Sequence, residues 1–237
     1  MPVGKRTAYS ISSLGDSAVI IDFGNTIEWY INQKVLALCH ALEAAAIVGV
    51  LDVVPAYSSI TVHYDVSRIV KPNTATAAYS ALKDNLQKLV SASVENVFTD
   101  SRKLRIPVCY NSTFGPDLKE VALFAKTTVQ EVIHLHTSRT YNVFMVGFLP
   151  GFAYMGEVNE RIAMARKPEP RLQIEAGSVG IAGKQTGIYP LTSPGGWQII
   201  GRTPVKTFDK TRAEPVLFTA GDQVEFYSIS EDEFDRY

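Results

Sequence analysis

From Ile27 to Ala46 the apolar residues Ile27, Ile31, Val35, Leu38 and Leu42 recur at steps of three and four. That spacing draws one apolar stripe down a helix. Asn25 or Thr26 stands where a cap belongs, and Gly49 ends the segment. Before it, Tyr9–Ser13 and Ala18–Phe23 read as two strands turning at Gly15-Asp16. After it, Val50–Val54 reads as a strand stopped by Pro55. Ser58–Tyr64 alternates, with Ile60, Val62 and Tyr64 on one side and Thr61 and His63 on the other. Pro72-Asn73-Thr74 opens a second helix whose inner face carries Ala78, Leu82, Leu86 and Leu89. The order β-β-α-β-β-α predicts a small antiparallel sheet covered by two helices.

The pattern weakens and turns polar from Ser91 to Arg102, which predicts a junction between a domain at 1–95 and another at 104–237. Leu104–Tyr110 is the next strand, followed by a turn through Gly115-Pro116. Two short helices are expected at 117–125 and 129–136. Thr128 caps the second, with Glu131 at its third position as in a capping box. From Tyr141 onward Gly and Pro recur every few residues, and the pieces between them are short and apolar. An interior Gly costs a helix about 1 kcal/mol and a Pro about 3 kcal/mol, so this stretch predicts short strands and tight turns. Gly221-Asp222 leads into a last strand, Gln223–Ile229. The acidic tail, Ser230–Tyr237, reads as solvated.

Composition adds limits rather than a function. The 237 residues carry 23 Lys and Arg against 24 Asp and Glu, a formal net charge of -1. Nothing in that balance predicts binding to nucleic acid or to an anionic membrane. Lys5 and Arg6 are followed by no apolar run of the kind a signal peptide needs. The apolar run at 41–56 is broken by Glu43, Asp52 and Pro55, so no membrane span is expected. Cys39 and Cys109 lie far apart in apolar surroundings and read as buried free thiols in a reducing compartment, which places the chain in the cytoplasm. No spacing suits a metal.

The candidate chemistry sits in the glycine-rich stretch. Arg171, Ser178, Gln185, Thr186, Tyr189 and Arg202 fall in or beside its turns. They are the expected ligand-binding residues, since polar groups on a rigid β scaffold make a binding cleft. Arg171 and Arg202 are isolated among Gly and Pro. Each can present its planar fork to a carboxylate or phosphate, or tie down loop carbonyls. His136, at a helix end leading into the stretch, is a candidate catalytic base or substrate donor at the edge of the cleft. Arg202 is a candidate donor to an oxyanion. Trp197 reads as a core aromatic or as a wall for a flat ligand. Two further motifs fail. Ala176-Gly-Ser-Val-Gly180 resembles a nucleophile elbow, but Gly183, Gly187 and Pro190 leave no room for the helix an elbow requires. Gly177–Lys184 has five residues between its glycines where a phosphate loop has four, and again no helix follows.

Three long motifs carry a resemblance: Gly147-Phe-Leu-Pro-Gly-Phe-Ala-Tyr154, Gly177-Ser-Val-Gly-Ile-Ala-Gly-Lys-Gln-Thr-Gly-Ile-Tyr-Pro190 and Ser193-Pro-Gly-Gly-Trp-Gln-Ile-Ile-Gly-Arg-Thr-Pro204. With Asp22-Phe-Gly24, Ile106-Pro-Val-Cys-Tyr110 and Glu131-Val-Ile-His-Leu-His136 they closely resemble the KipI family. That family is also called allophanate hydrolase subunit 1-like, and it includes the B subunit of bacterial 5-oxoprolinase. Glu175 stands where the family usually has Pro. The resemblance implies an α+β N-terminal domain followed by a cyclophilin-like β-barrel. It implies a subunit of an ATP-dependent 5-oxoprolinase that opens 5-oxo-L-proline to L-glutamate, and the failed elbow and phosphate loop add the expectation that the chain is inactive alone. ATP with Mg would bind in the assembled complex. The implied partners are a cyclophilin-like subunit, of the kind of the 5-oxoprolinase C subunit, and a further 5-oxoprolinase subunit. The alternative it implies is a KipI-type inhibitor of a sensor histidine kinase. It carries over no catalytic residue.

Overall fold

The computed structural model describes residues 8–69, 75–93 and 101–237. The chain divides into two compact units, 1–100 and 101–237. Residues 94–100 of the expected junction, and the expected helix start at Pro72–Thr74, lie outside the described residues.

In the first unit, strands β1 (Ser10–Ser13), β2 (Ala18–Asp22), β3 (Val50–Pro55) and β4 (Ser59–Tyr64) form an antiparallel sheet in the order β1-β2-β4-β3. Helices α1 (Trp29–Ala45), α2 (Val66–Ile69) and α3 (Ala75–Ser93) accompany it. Both periodicities end in one core. Val19 and Ile21 of β2 and Ile60, Val62 and Tyr64 of β4 meet Val35, Leu38 and Leu42 of α1 and Ala78, Leu82, Leu86 and Val90 of α3. Cys39 joins this core, and burial pushes its thiol up to about 12.

Three details differ from the sequence pattern. Helix α1 starts at an extended Glu28, whose carbonyl accepts from Asn32 N–H, so neither Asn25 nor Thr26 caps it and Ile27 is left exposed. Leu89 is only partly buried, and Val90 takes the core position. Steps of four drift around a helix of 3.6 residues per turn. The single turn α2 has no apolar stripe to announce it.

The second unit is a barrel. Strands β5 (Lys103–Cys109), β6 (Thr140–Val146), β7 (Ala153–Gly156), β9 (Ser178–Ala182), β10 (Gln185–Ile188), β12 (Gln198–Arg202) and β13 (Gln223–Ile229) close in the order β10-β7-β6-β13-β5-β12-β9. The pair β13–β5 is parallel and its neighbours are antiparallel. Strands β8 (Arg171–Ile174) and β11 (Ser193–Gly195) form a separate two-stranded ribbon. Helices α4 (Leu118–Phe124) and α5 (Val129–Thr137) pack Leu118, Val121, Val132 and Leu135 onto the barrel core. Arg102 clamps the start of β13 by a bidentate contact to buried Asp222, at 2.9 and 2.6 Å.

Thr128 caps α5 as expected, its hydroxyl accepting from Glu131 N–H. The Glu131 carboxylate does not return to the cap but pairs with Arg161 at 2.9 Å. Thr128→Ala should therefore lose about 1 kcal/mol in urea unfolding, the cost of a lost cap. A loss of several kcal/mol would mean that the residue does more than cap. The tail is not simply solvated. Ser230 and Glu233 form a capping box that starts α6 (Glu231–Phe234), and Phe234 is half-buried against Phe114, ring centres 4.5 Å apart.

Candidate functional site

Between β6 and β7 the chain makes a tight loop. Gly147 N–H donates to the Phe152 carbonyl, Leu149 N–H to Gly147 and Phe152 N–H to Leu149. The loop holds Phe148 at φ +70, exposed. A positive φ is an outlier for a bulky residue and costs on the order of 1–3 kcal/mol, a strain that concentrates at functional sites. Gly151, at φ +85, must stay glycine: a Cβ there would lie 2.8 Å from the Thr207 carbonyl oxygen.

The loop delivers the hub of an aromatic cluster. Buried Phe152 meets Phe148, Tyr154, Tyr189 and Trp197 edge to face, with ring centres 5.6, 4.8, 5.4 and 5.3 Å away. Edge-to-face contacts are the favourable geometry for such rings. Beside this cluster opens a cavity of about 230 Å³, walled by Phe148, Tyr154, Tyr189, Trp197 and the end of β11 at Pro194 and Gly195, with Arg166 at its rim. The Arg166 guanidinium lies 5.8 Å from the Trp197 ring centre and forms no ion pair or hydrogen bond among the described residues. Burial raises the Tyr154 and Tyr189 hydroxyls, against a smaller opposing pull from Arg166. Both therefore keep their protons at neutral pH.

A second cavity, of about 180 Å³, is lined by Phe114, Arg171, Glu175, Ser178, Ile199 and Arg202. Its two arginines are already engaged. The Arg171 Nη2 lies 2.6 Å from Asp117 Oδ1, and Lys167 Nζ reaches the same oxygen at 3.0 Å. Asp117 Oδ2 accepts from Ile199 N–H at 2.7 Å. Burial pushes the Asp117 carboxyl up, but the hydrogen bonds from Arg171, Ile199 and Lys167 outweigh it and hold the group below the usual carboxylate range. Arg202 donates its Nε–H to the Ala176 carbonyl at 2.9 Å, so it ties down the loop before β9.

The expected site residues thus divide. Arg171, Ser178 and Arg202 share the second cavity and Tyr189 lines the first. Gln185 is half-buried on β10. His136 and Thr186 are not at the edge of a cleft; both are fully buried in the barrel, because the end of α5 packs inward. Thr186 donates its hydroxyl proton to the Gly180 carbonyl, so its oxygen must accept from His136 Nε2–H at 3.0 Å. Nδ1 is then the acceptor for the Tyr110 hydroxyl at 2.7 Å. The ring stacks on Phe226, centres 4.7 Å apart, and burial lowers its pKa to about 3. This His is a neutral core residue held by two hydrogen bonds.

Site reasoning on the sequence misses Phe148, Phe152, Tyr154 and Arg166. The first three lie in the Gly147–Tyr154 motif, and its run of aromatics between glycines is the available signal. Arg166 sits in a charged loop with none. Gly177–Lys184 folds as strand β9 and the turn into β10, so it is neither an elbow nor a phosphate loop. Among the described residues no group of three or more His, Cys, Asp or Glu side chains could hold a metal, and no helix is long and apolar enough to cross a membrane.

Comparison with known proteins places this geometry. The family described as carboxyltransferase domain, subdomain C and D, matches residues 9–218. The 5-oxoprolinase B subunit of Bacillus subtilis (strain 168) is 42% identical over 231 residues, covering 97% of this chain and 96% of that protein. The 5-oxoprolinase B subunit of Escherichia coli O157:H7 is 37% identical, covering 90% and 93%. The crystal structure of TTHA0988 is 36% identical with a TM-score of 0.76; it covers 90% of this chain, which spans 40% of the TTHA0988 chain. The family match and the near-complete relatives agree: the chain belongs to the family of the carboxyltransferase domain, subdomain C and D, alongside the 5-oxoprolinase B subunits.

Proposed function

We propose that this chain is the B subunit of an ATP-dependent 5-oxoprolinase, which opens 5-oxo-L-proline to L-glutamate in a multi-subunit complex. The observation that carries the reading is the 42% identity to the Bacillus subtilis protein across 97% of this chain. Its barrel is of the cyclophilin-like kind. Its partners are a cyclophilin-like subunit, of the kind of the 5-oxoprolinase C subunit, and a further 5-oxoprolinase subunit, and the complex works in the cytoplasm. Inhibition of a histidine kinase in the KipI manner is the weaker reading, because the relatives matched over nearly their whole length are named for the hydrolase.

A lactam resists water because opening it breaks amide resonance. ATP, with Mg, supplies the driving force for activating that amide in the complex. The residues of the two cavities do not fit it. Sites for ligands of that size start at roughly 300 Å³. These two measure about 230 and 180 Å³. The reading routes no step through the nucleotide in this chain and has the chain inactive without its partners. What the chain supplies is a small pocket with aromatic walls, and a second contact surface at Arg171, Ser178 and Arg202.

Deleting the gene in its host tests the reading. The deletion strain should accumulate 5-oxoproline and lose growth on it as sole nitrogen source, with recovery when the chain is returned. A deletion strain that consumes 5-oxoproline at the parental rate contradicts the assignment.

A further inference from the structure

We propose that the aromatic cavity beside Phe152 is the lactam site, with Arg166 as the group that reads the substrate carboxylate. The proposal rests on the 5-oxoprolinase reading and goes beyond it by naming the pocket and the recognition residue.

Size decides first. The cavity measures about 230 Å³. A water takes about 30 Å³ of liquid volume, so the space equals a handful of waters, which suits one small ring and not a nucleotide. Wall chemistry decides next. The exposed ring of Phe148 and the buried rings of Tyr189 and Trp197 line it. They offer apolar faces and edges to the methylene side of a five-membered ring. A purely apolar ligand would waste the rim, where Arg166 stands exposed over the Trp197 ring.

Charge then separates the two cavities. In the second, Arg171 is paired with Asp117 at 2.6 Å, Arg202 is held by the Ala176 carbonyl and Glu175 lines the same wall, so an incoming carboxylate meets a carboxylate already there. At the rim of the first, the Arg166 fork has no acceptor among the described residues and can take a carboxylate two-pronged. The polar end of the ring also finds a partner. The Tyr189 hydroxyl lines the same cavity, and its proton has no acceptor among the described residues. That leaves the Tyr189 O–H to donate to the lactam carbonyl. The glycine at 195 makes room for that hydroxyl, which a Cβ there would displace. The strained Phe148, at φ +70, closes one side of the mouth. Backbone strain held at a pocket entrance is what ligand clamps show.

The test is the KM for 5-oxo-L-proline in the complex reconstituted with its partner subunits. Arg166→Ala should raise KM about ten- to a hundredfold, the scale of a lost charge-assisted contact, with kcat held within about threefold. Arg166→Lys should recover part of the loss. Because Arg166 is exposed, its removal leaves the core untouched. If the parent complex turns over and Arg166→Ala leaves KM unchanged, the site is wrong and the 5-oxoprolinase assignment stands. If the parent complex is inactive, the assignment fails, and calorimetry on the full chain decides the site by itself. Binding of 5-oxo-L-proline that is lost in Arg166→Ala, and that 2-pyrrolidinone (which lacks the carboxylate) does not reproduce, supports it. Absent binding, or binding indifferent to Arg166, overturns it.

Discussion

Asp117→Ala is expected to cost about 3 kcal/mol, the lower end of the range for removing one partner of a buried ion pair. The carboxylate is 2% exposed and stands at the meeting point of α4, β12 and the ribbon. It accepts from Arg171, Lys167 and Ile199 N–H, while its own N–H donates to the Ile199 carbonyl at 2.9 Å. Removing it strands two cations at the barrel wall and leaves a buried N–H without an acceptor. The cations keep 30% and 20% exposure, so water offsets part of the loss, which is why the lower end applies. Its folded pKa is depressed. Its stabilisation is therefore present above the ordinary carboxylate range and is lost as pH falls through the folded value. Urea unfolding at neutral pH reads the change directly. A loss under about 1 kcal/mol, the net worth of a single ordinary hydrogen bond, would show that the cluster is a surface feature and not a clamp.

His136 should give the chain a second, pH-dependent weakness. Its folded pKa, about 3, lies below the ordinary value of 6.5. In that interval the unfolded chain binds a proton that the folded chain refuses, so stability is full above the ordinary value and falls as the pH drops towards the folded one. Each pH unit takes about 1.4 kcal/mol from this one site, or about 3 kcal/mol over two units. His136→Gln keeps an acceptor for Tyr110 and a donor for Thr186 but cannot titrate. It should be less stable at neutral pH, through lost stacking on Phe226. Yet its stability should fall less steeply, by one proton's worth, between about pH 6.5 and 5, above most carboxylates. Equal slopes for parent and variant would mean that the histidine is reached by water and is not locked in the barrel.

Local pattern makes the first unit legible. The alternation in β4 and the helical spacing in α1 and α3 all end in one core. The second unit is legible only as short strands and turns. Barrel closure depends on β13 pairing with β5 in parallel, two strands at opposite ends of the unit's sequence, and no local signal carries that. The same gap explains the site. His136 looks like a helix terminus near a cleft, because the partners that bury it, Tyr110, Thr186 and Phe226, come from three distant segments. Arg171 looks free because its partner Asp117 lies 54 residues earlier. Tyr189 is reached from its glycine-rich context. Arg166 is not, since only the fold brings it over Trp197.

The most direct measurement combines this chain with its partner subunits and follows both the glutamate formed and the ATP consumed. With 5-oxo-L-proline, glutamate should appear only when this chain, the partners and ATP with Mg are all present, and ATP should be consumed in step with it. Glutamate formed at the same rate when this chain is left out, or by this chain alone without its partners, would contradict the account.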